Sequence, residues 1–236
     1  MIPLQDTIPA RRYPIVTVAL IAANVVVFLQ EVALGPSLER FIYTFGFVPA
    51  RYLYLTEVAP QALLPRFGPM LTAMFLHGGW LHLIGNMWTL WIFGDNVEDR
   101  LGRGRFLAFY LGCGLAAAYA QYWMDPASEV PTVGASGAIA GVMGGYFVLF
   151  PHARVLTLVP ILFYPAIVFM PAVVFLGLWF LLQFFNGAFA VAGAGMLAGG
   201  VAWWAHVGGF LTGVLLVRIL ARRDYVELRR DEYSPW

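Results

Sequence analysis

A serine and a histidine that could act together in hydrolysis lie in two separate apolar segments. Ser136 belongs to the sequence Gly-Ala-Ser-Gly, and His206 belongs to Ala-His-Val-Gly-Gly. A serine hydroxyl needs a neighbouring base to become a good nucleophile, and histidine is the commonest base at neutral pH. The segment that carries His206 contains no Asp or Glu to orient the imidazole. These residues therefore predict a Ser-His dyad, with helix packing as the alternative role for a serine among glycines.

A second pair of polar residues, His82 and Asn86, is spaced four residues apart and so shares one face of a helix. Neutral donors on one face can stabilise the negative oxygen of a tetrahedral intermediate, together with the backbone amide of Ser136. We therefore expect both side chains at the oxyanion. The alternative is that they bond loop backbone at the entrance of a helix.

The histidines and the cysteine do not form a metal-binding pattern. His77 lies close to His82, but the pair lacks the Glu of a zincin motif, and the chain has four His and one Cys. The lone Cys113 excludes an internal disulfide framework. Asp95 is the only Asp within a predicted span, which speaks against a pair of catalytic aspartates. We expect no metal and no other cofactor.

The composition is that of a membrane protein. The chain is 61% hydrophobic and 11% charged, whereas soluble domains carry about 25% charged residues. The net charge of +1 speaks against a nucleic-acid partner, because neutralising phosphates needs a concentrated basic surface. We therefore expect a multi-pass protein in a lipid bilayer. The sequence does not predict its oligomeric state.

Six apolar segments are candidates for membrane-spanning helices, since about 20 apolar residues cross a bilayer. They are residues 14–34, 81–97, 106–124, 136–150, 171–185 and 201–220. The expected fold is all-α, with a single membrane domain over residues 1–236, a core over about 12–222 and a cytoplasmic tail over 223–236. The first segment could instead be a secretory signal, but its length favours a retained anchor. Residues 156–170 are broken by Pro160 and Pro165 and predict a membrane-dipping connection.

The arginines predict the orientation, because cytoplasmic loops carry an excess of positive charge. All but three of the 14 arginines fall on one side of the six segments. The exceptions, Arg40, Arg51 and Arg66, lie in the long connection 35–79. Both termini are therefore predicted to be cytoplasmic. The connection 35–79 mixes aromatic with charged residues, which is typical of an amphipathic element in the headgroup plane, with a soluble loop as the alternative.

Small residues would allow the segments of Ser136 and His206 to approach closely. Gly137 and Gly141 are four residues apart, and so are Gly209 and Gly213. This spacing lets membrane helices bring their backbones together. A hydrogen bond of about 3 Å between the two side chains requires such an approach.

Taken in order, these motifs resemble the rhomboid family of intramembrane serine proteases. The matching sequences are His-Leu-Ile-Gly-Asn at 82–86, Gly-Ala-Ser-Gly at 134–137 and Ala-His-Val-Gly-Gly-Phe-Leu-Thr-Gly at 205–213. The resemblance implies a bacterial-type bundle of six helices, Ser136 as nucleophile, His206 as general base, and His82 and Asn86 at the oxyanion. It also implies that the substrate is a transmembrane helix of another protein, cut near its outer end without metal or soluble cofactor. The expected location is a bacterial plasma membrane.

Two departures from the family pattern concern how the site is held. Residues 66–69 read Arg-Phe-Gly-Pro where rhomboids often carry a Trp-Arg pair. Ala140 stands where some bacterial members have an aromatic residue that stacks on the catalytic histidine. Another residue must then hold His206, and we name Trp203 and Trp204 as candidates.

The resemblance extends to two further features. Glu98 and Arg100 resemble an acidic and basic pair that rhomboids carry after the second helix, where its role is structural. The fifth segment, which includes Trp179, is a candidate lateral gate. The glycine-rich residues 186–200 that follow are a candidate lid, because loops with glycine hinges can move.

Two other functions remain open from the sequence. A noncatalytic rhomboid-like protein would bind membrane helices for quality control, but such proteins usually lack the Ser or the His. A small-molecule transporter would suit the prolines that break helices, but the chain shows no inverted repeat and no set of buried charges for coupling.

Overall fold

The computed structural model describes residues 1–161, 164–191 and 201–221. Within these ranges the chain is mostly helical and carries one small sheet. The helices are α1 (Ile15–Ala33), α2 (Leu38–Phe45), α3 (Pro49–Val58), α4 (Leu63–Thr72), α5 (Trp80–Leu101), α6 (Arg103–Met124), α7 (Ser136–Leu149), α8 (Ala172–Val191) and α9 (Trp203–Leu220). The strands are β1 (Ile2–Asp6), β2 (Arg154–Ile161) and β3 (Tyr164–Pro171).

Helices occupy all six segments that the sequence predicts. By length and composition, α1, α8 and α9 can each cross a membrane, and α7 is a shorter apolar helix of 14 residues. The helix α5 extends beyond the predicted end at residue 97 and continues to Leu101. The charged residues in this extension, Glu98, Asp99 and Arg100, are helical and buried. It ends at Gly102, whose φ of +79° favours glycine. The predicted tail 223–236 lies outside the described residues.

The all-α prediction is wrong in one respect, because three antiparallel strands form a sheet in the order β1-β2-β3. The described parts of the expected membrane-dipping connection at 156–170 belong to the antiparallel strands β2 and β3, in which Pro160 faces Pro165. β-branched residues such as Val155 and Val168 suit strands. Prolines are tolerated near the end of a strand, where few ladder hydrogen bonds are lost. The strand that pairs with β2 on its other side, β1, comes from the amino terminus. Local periodicity does not predict such a distant pairing.

The strand β1 is tied to the helices by Asp6. Its carboxylate accepts hydrogen bonds from the Tyr146 hydroxyl and, at 2.9 Å, from Asn96 Nδ2. Burial raises the pKa of Asp6 to about 6, although the hydrogen bond from Tyr146 opposes the rise. Asp95 interacts electrostatically with Asp6. The only Asp within a predicted span therefore has a neighbouring carboxylate, which comes from β1, outside the spans.

The charged end of α5 anchors the start of α1. One oxygen of Glu98 accepts the Val16 N–H at 3.0 Å, and the other accepts the Thr17 N–H at 2.8 Å. The first N–H groups of a helix have no intrahelical acceptor, and a negative charge there is favourable. The Asp99 carboxylate accepts the Arg11 N–H at 3.2 Å, and the Arg100 guanidinium lies 5.4 Å from the centre of the Phe150 ring. These contacts give Glu98 and Arg100 the structural role that the resemblance implies.

The connection between α1 and α5 is built from the short helices α2, α3 and α4, none longer than 10 residues. Its inner side buries Phe47 and Tyr52. Phe47 also pairs with Thr132 through two backbone hydrogen bonds of 2.8 and 3.1 Å. The connection is therefore attached to the loop that leads into α7, and its place in the headgroup plane stays a prediction.

The helix α7 lies at the centre of the bundle, with every residue from Gly137 to Tyr146 buried. It packs most closely against α9 through glycines. A Cβ atom at Gly209 would overlap the carbonyl oxygen of Gly137, and one at Gly213 would overlap that of Gly141. The two backbones are therefore in direct contact, as the spacing of the four glycines predicts.

We predict that Gly213→Ala destabilises the bundle, because the added methyl group has no space beside the Gly141 carbonyl. Overpacking of this kind costs about 1–3 kcal/mol, and thermal unfolding in detergent measures it. The matched control is Gly177→Ala in α8, where an added Cβ meets nothing within 4 Å. The control should be neutral or slightly stabilising, since Ala is more favourable than Gly inside a helix by about 1 kcal/mol. Equal unfolding temperatures for the two variants would contradict the close contact.

Candidate active site

Ser136 and His206 face each other across the contact between α7 and α9. Ser136 is the first residue of α7, and His206 lies in the first turn of α9. The distance between Ser136 Oγ and His206 Nε2 is 2.8 Å, which is a hydrogen bond. Both side chains are half-buried. The geometry lets the ring nitrogen accept the proton of the hydroxyl.

The backbone before Ser136 is fixed by a glycine in an unusual conformation. Gly134 has a φ of +121°, which residues with a side chain rarely adopt. Its N–H donates to the Ala73 carbonyl at 2.8 Å. The start of α9 is fixed in a similar way, because the Ala205 N–H donates to Gln121 Oε1 at 3.3 Å. Neighbouring elements therefore position both helix starts.

His82 and Asn86 pack against this glycine from α5. A Cβ atom at Gly134 would lie 2.7 Å from His82 Nε2 and 3.6 Å from Asn86 Nδ2. Among the described residues, Asn86 Nδ2 finds no hydrogen-bond partner although it is buried. A buried donor without a partner is costly, and at a functional site it is available to a ligand. The two side chains therefore lie beside the serine motif, and their role at the oxyanion stays a prediction.

The hydrogen on His82 is placed by the loop in front of α5. The Gly78 N–H donates to His82 Nδ1 at 3.3 Å. A neutral imidazole that accepts at Nδ1 carries its hydrogen on Nε2. The nitrogen next to Gly134 is therefore the donor, as an oxyanion contact requires.

A single cavity contains these four side chains. Its volume is about 930 Å³, at the upper end of the range of ligand pockets. The polar groups on its wall include Ser136, His82, Asn86, His206 and Gln183. Such a lining suits water and the backbone of an extended peptide. At membrane depth, polar groups such as these are tolerated only where protein encloses them or where they line a water-filled cavity.

The residue that holds His206 is one that the sequence analysis missed. Gln183 Oε1, on α8, lies 2.8 Å from His206 Nδ1. The Trp179 ring, one turn earlier, lies 5.8 Å from the imidazole between ring centres. Of the two tryptophans named from the sequence, Trp203 contacts the imidazole edge-on at 6.3 Å. Trp204 packs against Phe184 instead.

Gln183 carried a signal that could have been used. It is an amide inside an apolar segment, and a polar group at membrane depth is a functional candidate by default. The rule that selects Ser136 and His206 also selects Gln183 in the fifth segment. The candidate lid at 186–200 begins in α8, which continues to Val191, and residues 192–200 lie outside the described part of the chain.

His77 lies behind His82 and is held by α1. Its backbone N–H donates to the Glu31 carboxylate at 3.2 and 3.3 Å. Its ring lies 5.0 Å from the His82 ring and 6.5 Å from the Phe28 ring, between centres. Burial lowers the pKa of His77 to about 4, and the neighbouring His82 contributes to the shift. His77 is therefore neutral at physiological pH. Among the described residues, no set of three or more metal-ligating side chains is found.

The family is decided by a comparison of the whole sequence. A family model described as the rhomboid domain matches residues 66–223, which is more than half of the chain. The chain belongs to the rhomboid family. It is therefore an integral membrane protein that crosses the bilayer more than once.

Several curated relatives support this rhomboid assignment. "Rhomboid protein 1, mitochondrial" from Saccharomyces cerevisiae is 33% identical over 147 residues, which cover 60% of this chain and 38% of the yeast protein. The human "Presenilin-associated rhomboid-like protein, mitochondrial" is 32% identical over 139 residues, covering 58% of this chain and 33% of that protein. YdcA of Bacillus subtilis, whose assignment as a rhomboid protease is provisional, is 38% identical over 88 residues, covering 36% and 44%.

These rhomboid relatives limit what their names imply for this chain. The chain spans less than half of the length of each one. Their activities are therefore not established for it. These relatives include mitochondrial and bacterial proteins. They therefore do not support the predicted bacterial plasma membrane over a membrane of mitochondria.

We predict that Glu31→Leu loosens the loop in front of α5. Glu31 is 1% exposed, and its loss would leave the His77 N–H buried without an acceptor, which costs about 1–3 kcal/mol. Glu31→Gln keeps an acceptor oxygen and should cost less. The exposed neighbour Gln30→Leu is the control. Hydrogen exchange at His77 and thermal unfolding in detergent test the prediction, and protection at His77 that is unchanged in Glu31→Leu would refute it.

Proposed function

We propose that this rhomboid is an intramembrane serine endopeptidase that cleaves transmembrane helices of other membrane proteins. The observation that carries the proposal is the 2.8 Å hydrogen bond between Ser136 Oγ and His206 Nε2 inside a polar-lined cavity. A serine paired with an imidazole acceptor is the arrangement that nucleophilic hydrolysis needs. The catalytic dyad would then consist of Ser136 and His206.

In the proposed reaction, Ser136 Oγ attacks the carbonyl carbon of the scissile peptide bond. His206 Nε2 takes the hydroxyl proton and then gives it to the leaving amine, which departs as the C–N bond breaks. Water next attacks the acyl-enzyme, with His206 again taking a proton, and the acid product leaves as Ser136 regains its hydrogen. Ser136, His206, the substrate and water account for every proton and electron pair in these steps, so the reaction needs no metal and no soluble cofactor.

The tetrahedral intermediates carry a negative oxygen, and three donors are available for it. They are His82 Nε2, Asn86 Nδ2 and the backbone N–H of Ser136. The two side-chain nitrogens lie beside Gly134, two residues before the nucleophile, and the N–H is at the first position of α7, where the helix offers it no acceptor. Donors that are fixed before the reaction stabilise the developing charge without reorganisation.

The substrate and the topology belong to the same proposal. We place six membrane spans at α1, α5, α6, α7, α8 and α9, with both termini on the cytoplasmic side as the arginines indicate. The starts of α5 and α7 then face outward, so the cavity opens towards the exterior. A substrate helix would unwind at its outer end and enter beside α8, the candidate lateral gate, to present an extended segment.

A noncatalytic rhomboid that only binds membrane helices is the second candidate function. The chain covers only part of its mitochondrial relatives, and family membership alone does not establish proteolysis. The paired Ser136 and His206 favour the enzyme, because a helix-binding protein has no need for a hydrogen-bonded nucleophile and base. A transporter has no specific observation in its favour.

We predict that a serine-directed fluorophosphonate labels Ser136 in detergent and that Ser136→Ala abolishes both labelling and cleavage of a reporter transmembrane helix. The control is Ser128→Ala, since Ser128 lines the same cavity but its hydroxyl accepts a hydrogen bond from the nearby Val130 N–H instead of pairing with a histidine. Gel fluorescence and intact mass measure labelling. Full cleavage by purified Ser136→Ala would rule out the protease, and an inert parent protein would favour helix binding.

We predict that Asn86→Ala slows cleavage by about 10²- to 10³-fold, the usual effect of one oxyanion donor. The substitution removes a donor without a partner among the described residues, so it should not lower the unfolding temperature. The control is Asn186→Ala on α8, whose side chain bonds its own helix at Leu182. Single-turnover rates with the reporter helix test this, and a parental rate in Asn86→Ala would remove Asn86 from the oxyanion site.

A further inference from the structure

Gln183 is a buried amide on a helix whose other residues are mostly exposed or half-buried. Its side chain is 8% exposed, whereas Leu182 and Phe184 on either side are 54% and 40% exposed. Only four other residues of α8 are buried, and all four are apolar or glycine. Burying an amide is costly unless it finds a partner. The partner is His206, at 2.8 Å.

This contact decides which nitrogen of His206 carries the hydrogen. Gln183 presents its carbonyl oxygen Oε1 to Nδ1, and a carbonyl oxygen can only accept. His206 Nδ1 must therefore donate, which leaves Nε2 free of hydrogen and able to accept from Ser136. The opposite tautomer would direct an N–H at the serine hydroxyl and could not remove its proton. The orientation of the amide thus selects the tautomer that acts as a base.

We propose that Gln183 is the positioning residue of this site, the third member of a Ser-His-Gln array. The inference rests on the proposed protease function and adds to it the group that orients the base. In Ser-His-Asp enzymes a carboxylate holds the imidazole in the correct tautomer. Here a neutral amide does the same, and it comes from a different helix than either member of the dyad.

The contact with Gln183 links the orientation of His206 to the position of α8. Trp179 and Gln183 are four residues apart on α8 and share the face that touches His206. A shift of α8 by about 1 Å would stretch the 2.8 Å bond beyond hydrogen-bond range. If substrate enters beside α8, the base is correctly held only after α8 has returned to α9. Substrate entry and assembly of the catalytic site would then occur in a fixed order.

The test uses two substitutions with opposite effects on the purified full chain. Gln183→Leu fills a similar volume without an acceptor, so kcat should fall about 10-fold or more with little change in KM, because the tautomer is no longer fixed. Gln183→Glu retains the acceptor and adds a charge that stabilises the imidazolium. It should keep substantial kcat and move the acid limb of the pH profile of kcat/KM to higher pH.

A residue with only a packing role would not produce this pair of results. Gln30→Leu removes an exposed amide from α1, away from the site and from α8, and should leave kcat and the pH profile at parental values. A parental acid limb in Gln183→Glu would overturn the inference, even if Gln183→Leu failed to fold. So would a parental kcat in Gln183→Leu. Failure of the proposed function looks different, because then neither the parent nor any variant would cleave or react at Ser136.

Discussion

The direct contact of two helix backbones at the centre of the bundle is the constraint on which the rest of the structure depends. The glycines of α7 and α9 leave no room for a methyl group where they meet. Only at this separation can a side chain as short as that of Ser136 reach an imidazole on the neighbouring helix. Small residues therefore do two jobs here: they hold two apolar helices together by close packing, and they set the distance between the nucleophile and its base.

Around this contact, each polar group of the site is oriented by a different element. The loop before α5 sets the tautomer of His82 through the Gly78 N–H, and α8 sets that of His206 through Gln183. The carboxylate of Glu31 holds the same loop from α1. A site assembled from several helices is fixed only when all of them are packed. Such an arrangement keeps a few polar groups inside an apolar bundle without leaving their hydrogen bonds to chance.

Much of the fold could be predicted from the sequence, because long uncharged segments have few alternatives in a membrane protein. All six predicted segments are helical, and the four candidate site residues line one cavity. The sheet escaped prediction because β1 and β2 are about 150 residues apart and their pairing depends on the folded bundle. Gln183 was missed for a related reason: a single amide in an apolar helix shows its partner only when the helices are packed together.

The central claim is that a serine hydroxyl and an imidazole from separate helices meet in a hydrated cavity inside the bundle. An experimental structure of the full chain in lipid tests it most directly. We expect Ser136 Oγ within about 3 Å of His206 Nε2, with ordered water in the cavity beside Asn86. A separation of more than about 4 Å, or lipid filling the space between the two side chains, would contradict the account.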